Sequence, residues 1–399
     1  MISLEEALQK IDRAISPLPP RKVAPLEAIG CCIAEEIAAG DDIPNFASSA
    51  MDGIAVCLKE LENGSFPIEL NVQGTIAAGK PAEEPIKPGY AYRIMTGAPL
   101  PAGADTVIKV EEVEFDGGRV KIARASAIGQ HVRPIGNDIK KGELVFPVGY
   151  RLKPIDAGIC AGLGLTEISV YPRPRIALLA TGSEIQSPGS RLKPGQIYNA
   201  NDTSLRASII AFGLPDPGAF PSLRDDPEEL TPTLSQLCTK HDVVITSGAV
   251  SAGQFDYIPD VVERLNGELL FHKVFVKPGK PTLIAKIGEC WLLSLPGNPV
   301  SVVVTFHLYG KRLLARLMGR QYQPVKEHAT LAAPFGVSGD RFQVVGAYLK
   351  RTEQGLSAIA VERYSSGRLS SIKGIDGFIL VPGGTRQIEA GTVVEVEWL

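Results

Sequence analysis

The chain has 399 residues, a formal net charge of −3, and ordinary hydrophobic and charged contents of 44% and 21%. This length predicts two to four domains with a large core, and the small net charge argues against nonspecific binding to nucleic acid or membranes. No apolar run is long enough to cross a bilayer, and charged residues in the first helical turns exclude the apolar core of a signal peptide, so we expect a cytoplasmic protein.

The six cysteines and five histidines indicate neither a metal site nor a nucleophilic one. No C-x-x-C pair occurs, the histidines lack metal-ligand spacing, and none of them joins a serine or cysteine in a triad context. We interpret these residues as parts of the core and the surface.

The chain opens with a predicted amphipathic helix. Ser3 and Glu6 have the spacing of a capping box, and prolines from Pro17 onward end the helix. Its apolar face could pack against a partner chain or against its own chain. The residues of that face are Leu4, Leu8, Ile11 and Ile15.

Residues 42–138 alternate short β-like runs with glycine and proline, which predicts a β-rich domain inserted into the N-terminal one. Asp52 lies on a turn just before one strand, and Thr96 lies at the end of another. On its own, Asp52 is more typical of a turn-forming residue than of a ligand. The β-like runs are Gly53–Cys57, Tyr90–Met95, Thr106–Val110 and Val120–Ile122.

A segment of alternating strands and helices begins with the predicted strand Ile176–Ala180. Thr203 is a candidate cap for one helix, and Asp226 with Pro227 opens another, which leads into a buried strand that begins at Val243. No G-x-G-x-x-G motif follows the first strand, which argues against a nicotinamide dehydrogenase.

The loop after the Val243 strand is a candidate anion site. Ser247, Gly248, Ser251 and Gly253 bring small residues and backbone N–H groups to the carboxyl end of a strand, where open α/β sheets bind ligands. Asp256 adds a carboxylate three residues beyond the last glycine. A single loop of this type is equally consistent with a structural turn.

Two motifs further along the chain also suit an anion. Lys277–Lys280 carries two cations within a Pro-Gly turn, and Asn298 with Pro299 predicts the start of a helix that continues to about Leu317. The amino end of that helix offers N–H donors, with Ser301 in its first turn. Beyond about residue 324, short β-like runs predict an all-β terminal domain, in which we identify no catalytic constellation.

Taken together, these motifs occur in an order and spacing that resembles the MoeA/gephyrin E-domain family, the molybdopterin molybdenumtransferases. The resemblance covers essentially the whole chain. The motifs that carry it are Ser49–Gly53, Met95–Pro99, Thr181–Glu184, Ser247–Gly253, Lys277–Pro281 and Leu295–Ser301.

The resemblance implies an α/β multidomain fold. It comprises a helical/mixed N-terminal domain (residues 1–41 and 139–173), an inserted β-rich domain (42–138), a central α/β molybdopterin-binding domain with a parallel sheet (174–323) and a C-terminal all-β barrel (324–399). It also implies a homodimer whose active cleft lies between the α/β domain of one chain and the β-rich domain of the other, so that Asp52 and Thr96 act in trans.

The reaction implied by the resemblance is the last step of molybdenum cofactor biosynthesis: molybdate is inserted into adenylyl-molybdopterin, and AMP is released with the help of Mg²⁺. A molybdopterin adenylyltransferase is the implied upstream partner. The implied catalytic residues are Asp52, Thr96, Glu184 and Asp256, of which Glu184 and Asp256 are also the candidate metal ligands. The implied binding residues are Asn201, Ser247, Gly248, Ser251, Gly253, Lys277, Lys280, Pro296, Asn298, Pro299 and Ser301.

Three positions depart from the family pattern: Ser183 replaces an aspartate, Ala249 replaces a glycine, and Asn199 stands where an acidic residue is usual. The loss of carboxylates weakens the predicted Mg²⁺ site, although Asp202 could compensate. These departures motivate an alternative, a catalytically weakened paralogue that binds or carries molybdopterin or the finished cofactor. A scaffold role is less favoured, because the chain lacks additional linkers.

Overall fold

The computed structural model describes residues 1–61, 66–124, 126–220, 222–248, 250, 257–337, 339–362 and 364–399. Four positions singled out from the sequence, Ala249, Ser251, Gly253 and Asp256, therefore lie outside the described residues. The chain divides into two compact units. The first comprises Met1–Ala34, Arg151–Pro154 and Glu167–Leu399, and the second comprises Glu35–Tyr150 and Ile155–Thr166. The four predicted domain boundaries stay a prediction.

The first unit opens with the predicted helix, Leu4–Ala14. Ser3 caps it as expected, since its Oγ accepts a hydrogen bond from the backbone N–H of Glu6 at 3.0 Å. Ile11 and Ile15 are fully buried in the main core of this unit, so the helix packs against its own chain. A short sheet follows, in the order Arg21–Val23, Ile168–Tyr171, Cys32–Ile33.

This unit contains a five-stranded central sheet, whose first three strands are β-branched or leucine-rich and buried on both faces. Its first three strands are parallel, the fourth is antiparallel to the third, and the fifth is antiparallel to the fourth, so the sheet is mixed where a parallel one was expected. The strand order is Ile176–Ala180, Val243–Ser247, Cys290–Leu295, Leu283–Ile287, Glu268–His272.

The helices of this segment follow the predicted signals, with one correction. Asn199, not Thr203, caps the helix Ala200–Ala211, because its side chain accepts a hydrogen bond from Asp202 N–H at 3.0 Å. The helix that starts at Pro299 continues to Leu317 through a π-helical turn, and the cap at Asp226 is as predicted. The remaining elements are the helices Pro227–Lys240, Ile258–Arg264, Pro299–Thr305 and Lys311–Leu317, the π-helical turn Phe306–Gly310, and the paired strands Ile185–Gln186 and Ile197–Tyr198.

The C-terminal segment forms a closed barrel, because the strand Phe342–Thr352 also pairs with Gly377–Val381. This agrees with the predicted all-β barrel. The closed ring has the strand order Phe342–Thr352, Gly355–Ala360, Lys326–Leu331, Val393–Trp398, Gly377–Val381. The short strand Val276–Lys277 pairs with Phe342–Thr352. Phe335–Gly336 pairs with Gln387–Ile388, and a 3₁₀ turn spans Leu369–Ile372.

The second unit is β-rich, as expected for the inserted segment. Its main sheet has the order Thr106–Lys109, Gly53–Val56, Tyr90–Ile94, Ile68–Ile76, Arg119–Ile122, Val113–Asp116. The unit also contains two short strand pairs, Ile37–Ala38 with Leu144–Phe146 and Ser48–Ser49 with Val132–Arg133. Its helices are Leu58–Leu61, the 3₁₀ turn Val110–Glu112 and Pro154–Gly162. In the part of the chain that the structure describes, no helix is long and apolar enough to cross a membrane.

Candidate functional site

A cavity of about 1290 Å³ lies in the first unit. It exceeds the roughly 300–1,000 Å³ of common small-molecule sites, so it has room for a ligand that combines a nucleotide with a second ring system. The structure brings together the described binding candidates of this unit on its walls. They are Glu184, Asn201, Ser247, Gly248, Lys277, Lys280, Pro296, Asn298, Pro299 and Ser301.

Gly248, directly after the strand Val243–Ser247, packs closely against the backbone of a neighbouring turn. Gly248 has φ +100°, and a Cβ atom there would lie 2.5 Å from both the carbonyl oxygen and Oγ1 of Thr181. Only glycine fits this position without strain. Gly297 lies beside it, because a Cβ on Gly297 would be 3.7 Å from Gly248 Cα. Two glycine backbones thus form one wall of the cavity.

Hydrogen bonds fix the amino end of the Pro299 helix. Asn201 Nδ2 donates to the carbonyl of Gly297 at 2.8 Å, and Asn298 Nδ2 donates to Ser366 Oγ at 3.2 Å. The backbone N–H of Val300 donates to the carbonyl of Ser366 at 3.1 Å. This N–H is therefore already used within the protein, although the helix was predicted to offer its first donors to an anion.

Cations line the side of the cavity nearest the barrel. The Lys277–Lys280 turn packs tightly on the Pro299 helix, since a Cβ on Gly279 would meet Thr305 Cγ2 at 2.3 Å. Arg341 enters from the barrel, and its Nη1 donates to the carbonyl of Val276 at 3.2 Å. Two lysines and an arginine therefore share one wall, which favours an anionic ligand.

Carboxylates line another part of the same cavity. The backbone N–H of Gly182 donates to the carbonyl of Leu223 at 2.9 Å, and that of Leu223 donates to the carbonyl of Ala180 at 3.0 Å. These bonds draw the segment that contains Asp225 alongside the turn that contains Glu184, and both residues line the cavity. Carboxylates that line a cavity suit a cation or a hydroxyl donor on the ligand.

Several buried polar atoms of the cavity-lining residues have no hydrogen-bond partner among the described residues. They are Thr181 Oγ1, Asp225 Oδ1 and Gln343 Nε2. The phenol of Tyr364 lines the same cavity, and burial raises its pKa, which keeps it a neutral group. Unpaired buried polar atoms are rare in folded proteins and mark places where a ligand, ion or water completes the structure.

A divalent cation can be tested against this donor set. Asp225 Oδ1 is buried and unpaired, and Glu184 lines the same cavity, so both are suitable oxygen ligands. Within the described ranges, no group of three histidine, cysteine or acidic side chains could hold a metal ion by itself. The residues therefore fit Mg²⁺, which takes one or two carboxylates and completes its coordination with substrate phosphates and water.

The second unit contains a separate pocket of about 470 Å³ around Asp52. Asp52 Oδ1 accepts hydrogen bonds from Thr96 N–H at 2.6 Å and from Thr96 Oγ1 at 2.8 Å. The backbone N–H and then the hydroxyl of Thr96 lower the pKa of Asp52. Gly53 is required beside it, because a Cβ there would lie 1.9 Å from the carbonyl oxygen of Ile108. The structure thus pairs Asp52 with Thr96.

Sequence reasoning missed several residues that line the larger cavity. Asp225 stands next to Asp226, and only the capping role of Asp226 was recognised; two adjacent acidic residues before a helix were the available signal. No catalytic constellation was identified in the barrel from the sequence, but the barrel supplies Arg341, Gln343 and Ser366 to the cavity wall. No local motif distinguishes these three, because long-range contacts bring them to the site: the strand Phe342–Thr352 pairs with Val276–Lys277, and Ser366 bonds to the start of the Pro299 helix.

Three family profiles together match nearly the whole chain. Family profiles match "MoeA N-terminal region (domain I and II)" at residues 2–164, "Probable molybdopterin binding domain" at 177–316 and "MoeA C-terminal region (domain IV)" at 328–399.

Among individual relatives, the molybdopterin molybdenumtransferase of Staphylococcus epidermidis is 32% identical over 99% of this chain and 95% of its own. That of Haemophilus influenzae is 31% identical over 100% and 98%. The crystal structure of a molybdopterin biosynthesis MoeA protein from Pyrococcus horikoshii has a TM-score of 0.87 and 32% identity, covering 100% of this chain and 99% of that one. Because the profiles cover nearly the whole chain and the relatives match it from end to end, this chain belongs to the MoeA family.

Proposed function

We propose that this chain is a molybdopterin molybdenumtransferase, which inserts molybdate into adenylyl-molybdopterin and releases AMP in the last step of molybdenum cofactor biosynthesis. The observation that carries the proposal is a single cavity that combines a cationic wall, two carboxylates and two close glycine backbones. The named relatives support the same reaction.

The chemistry of this substrate matches the cavity walls. A pyrophosphate and a tetrahedral dianion both need hydrogen-bond donors and positive charge, which Lys277, Lys280 and Arg341 supply. Gly248 and Gly297 allow phosphate to approach the backbone closely. In this proposal, Asn201 and Ser247 act as binding residues, and Pro296, Asn298, Pro299 and Ser301 form the adjoining wall. Ser251 and Gly253 remain binding candidates, and Asp256 remains a catalytic and metal-ligand candidate.

We assign Glu184 and Asp225 the role of holding Mg²⁺ against the substrate phosphates. The ion would shield the negative charge that builds up as the phosphoanhydride P–O bond breaks and AMP leaves. The residues themselves orient the phosphates, and the lysines share the remaining charge. Removing divalent cations with EDTA should abolish AMP release, and adding Mg²⁺ should restore it. Full activity in EDTA would exclude this role.

We also propose that the active form is a homodimer in which Asp52 and Thr96 of one copy complete the cleft of the other. Heterodimer complementation tests this arrangement. Asp52→Asn and Lys280→Gln would each be inactive alone, but after the two variants are mixed and exchange subunits, about half of the dimers would be mixed, each with one intact site. The mixture should therefore recover about a quarter of wild-type activity. No recovery after verified exchange would contradict action in trans.

A molybdopterin adenylyltransferase that supplies the adenylylated substrate is the upstream partner that we propose. The cytoplasmic location stays a prediction from the sequence.

The binding-only alternative receives no specific support. Asn199, one of the departures that motivated it, has a structural role as the cap of Ala200–Ala211. The direct test of the proposed activity measures AMP release from adenylyl-molybdopterin with and without molybdate, in the presence of Mg²⁺. We expect release that depends on molybdate. Binding of adenylyl-molybdopterin without any AMP release would refute the transferase function and favour the carrier.

A further inference from the structure

Gln343 is a neutral residue among the cations of the barrel-side wall. It lies in the strand Phe342–Thr352, is 4% exposed and lines the large cavity. Its strand pairs in parallel with Val276–Lys277, and Gln343 is the register partner of Lys277. Because register partners project to the same face of a sheet, the amide lies beside the lysine.

The side-chain amide of Gln343 has an unused donor. Its Nε2 is buried without a hydrogen-bond partner among the described residues. An amide nitrogen carries two donor hydrogens, and a buried donor that stays unpaired destabilises the fold. A residue in this state indicates that a bound group or water completes its hydrogen bonding.

The neighbouring charges indicate the nature of that group. Lys277, Lys280 and Arg341 line the same cavity as Gln343. These cations attract any anion, but two of them are flexible lysine ammonium groups with little directional preference. A fixed amide donor adds direction, and it distinguishes an oxyanion that presents an oxygen at the right position from other anions.

We propose that Gln343 is a specificity-determining residue that donates a hydrogen bond from Nε2 to the tetrahedral oxyanion substrate, held beside Lys277 and Lys280. This inference rests on the proposed function, because it assigns the residue to the molybdate of that reaction. Gln343 has no role in binding the pterin or the adenosine in this assignment, so its removal should affect one substrate and spare the other.

The test replaces the amide with a group of similar shape that has no donor. In Gln343→Met we expect the KM for molybdate to rise about tenfold, the loss of one hydrogen bond to a charged ligand. The KM for adenylyl-molybdopterin should stay within about twofold of wild type, since that ligand makes no use of the amide. The matched control is Gln387→Met, because Gln387 belongs to the same barrel segment but bonds to Glu389 outside the cavity. We expect the control to keep both KM values.

A second readout is independent of turnover. Inorganic molybdate alone should raise the thermal unfolding temperature of the wild type and of Gln387→Met, and this rise should be lost or strongly reduced in Gln343→Met. Without ligand, Gln343→Met should unfold at the same temperature as wild type or higher, because an unpaired buried donor has been removed.

An unchanged KM for molybdate in Gln343→Met would overturn the inference, and so would a parallel rise in both KM values. Lack of stabilisation of the wild type by molybdate would overturn it as well. If the wild type releases no AMP, the proposed function fails, while the molybdate-induced stabilisation still decides the role of Gln343.

Discussion

Asp225 and Asp226 are adjacent residues to which the structure gives different roles. Asp226 caps the helix Pro227–Lys240, with its Oδ1 accepting a hydrogen bond from the backbone N–H of Glu228 at 3.0 Å. Asp225 lines the cavity, and its Oδ1 is buried with no partner among the described residues. Replacing each aspartate with alanine should therefore separate stability from activity.

The magnitudes follow from these contacts. Loss of the cap in Asp226→Ala should lower the free energy of unfolding by about 1 kcal/mol, with AMP release within about twofold of wild type. Asp225→Ala removes an unpaired buried carboxylate oxygen, so its free energy of unfolding should be unchanged or about 1–3 kcal/mol higher. Its rate of AMP release should fall about 100-fold, which corresponds to about 2.7 kcal/mol of transition-state stabilisation.

The assay combines thermal unfolding of both variants with AMP release at saturating molybdate and Mg²⁺. We expect Asp226→Ala to be less stable than wild type and to keep its rate of AMP release. We expect Asp225→Ala to be at least as stable as wild type and to lose most of that rate. If Asp225→Ala were destabilised and retained its rate, the carboxylate would be a structural group, and its assignment to the site would be refuted.

Three further predictions test other parts of the structure. Gly248→Ala should lower the free energy of unfolding by about 2–4 kcal/mol, because it combines a positive φ with a backbone clash. In Gly297→Ala the added Cβ has room, so the free energy of unfolding should fall by about 1 kcal/mol or less. Thermal unfolding measures both changes. Thr96→Val removes a hydroxyl that lowers the pKa of Asp52, so NMR should show that carboxyl titrating nearer its ordinary value of 3.8 than in wild type, and an unchanged titration would contradict this. Burial lowers the pKa of His307 below 6.5, so folding favours the neutral ring. The resulting stabilisation is present above pH 6.5 and is lost as the pH falls towards the pKa of the folded state. The unfolding temperature of His307→Gln should therefore depend less on pH in that range than the unfolding temperature of the wild type.

Patterns of local origin were predictable from the sequence. Three such features occur where the sequence predicts them: the cap at Ser3, the cap at Asp226 and the strand Ile176–Ala180. Each depends on neighbours within a few positions along the chain. The helix at Ala200–Ala211 shows the limit of that approach. Asn199 and Thr203 both have side chains suited to capping, and only the backbone conformation decides which one is the cap.

Features that depend on long-range contacts could not be predicted in this way. The strand Leu283–Ile287 is as apolar and buried as its parallel neighbours, so its antiparallel direction was not visible in the sequence. The barrel wall of the cavity depends on the pairing of Phe342–Thr352 with the distant strand Val276–Lys277, which carries Arg341 and Gln343 to the site without a motif. Six motifs in order were enough to assign the described residues of the α/β segment to one site, because a family pattern carries tertiary information that composition lacks.

In the proposed function, the cavity lined by Gly248, Lys280 and Asn298 holds a doubly phosphorylated pterin beside an oxyanion. A crystal structure with adenylyl-molybdopterin bound would test this placement. We expect pyrophosphate oxygens within hydrogen-bonding distance, about 2.7–3.2 Å, of Lys280 and the glycine backbone. Density for the ligand at another surface, with this cavity filled only by water, would contradict it.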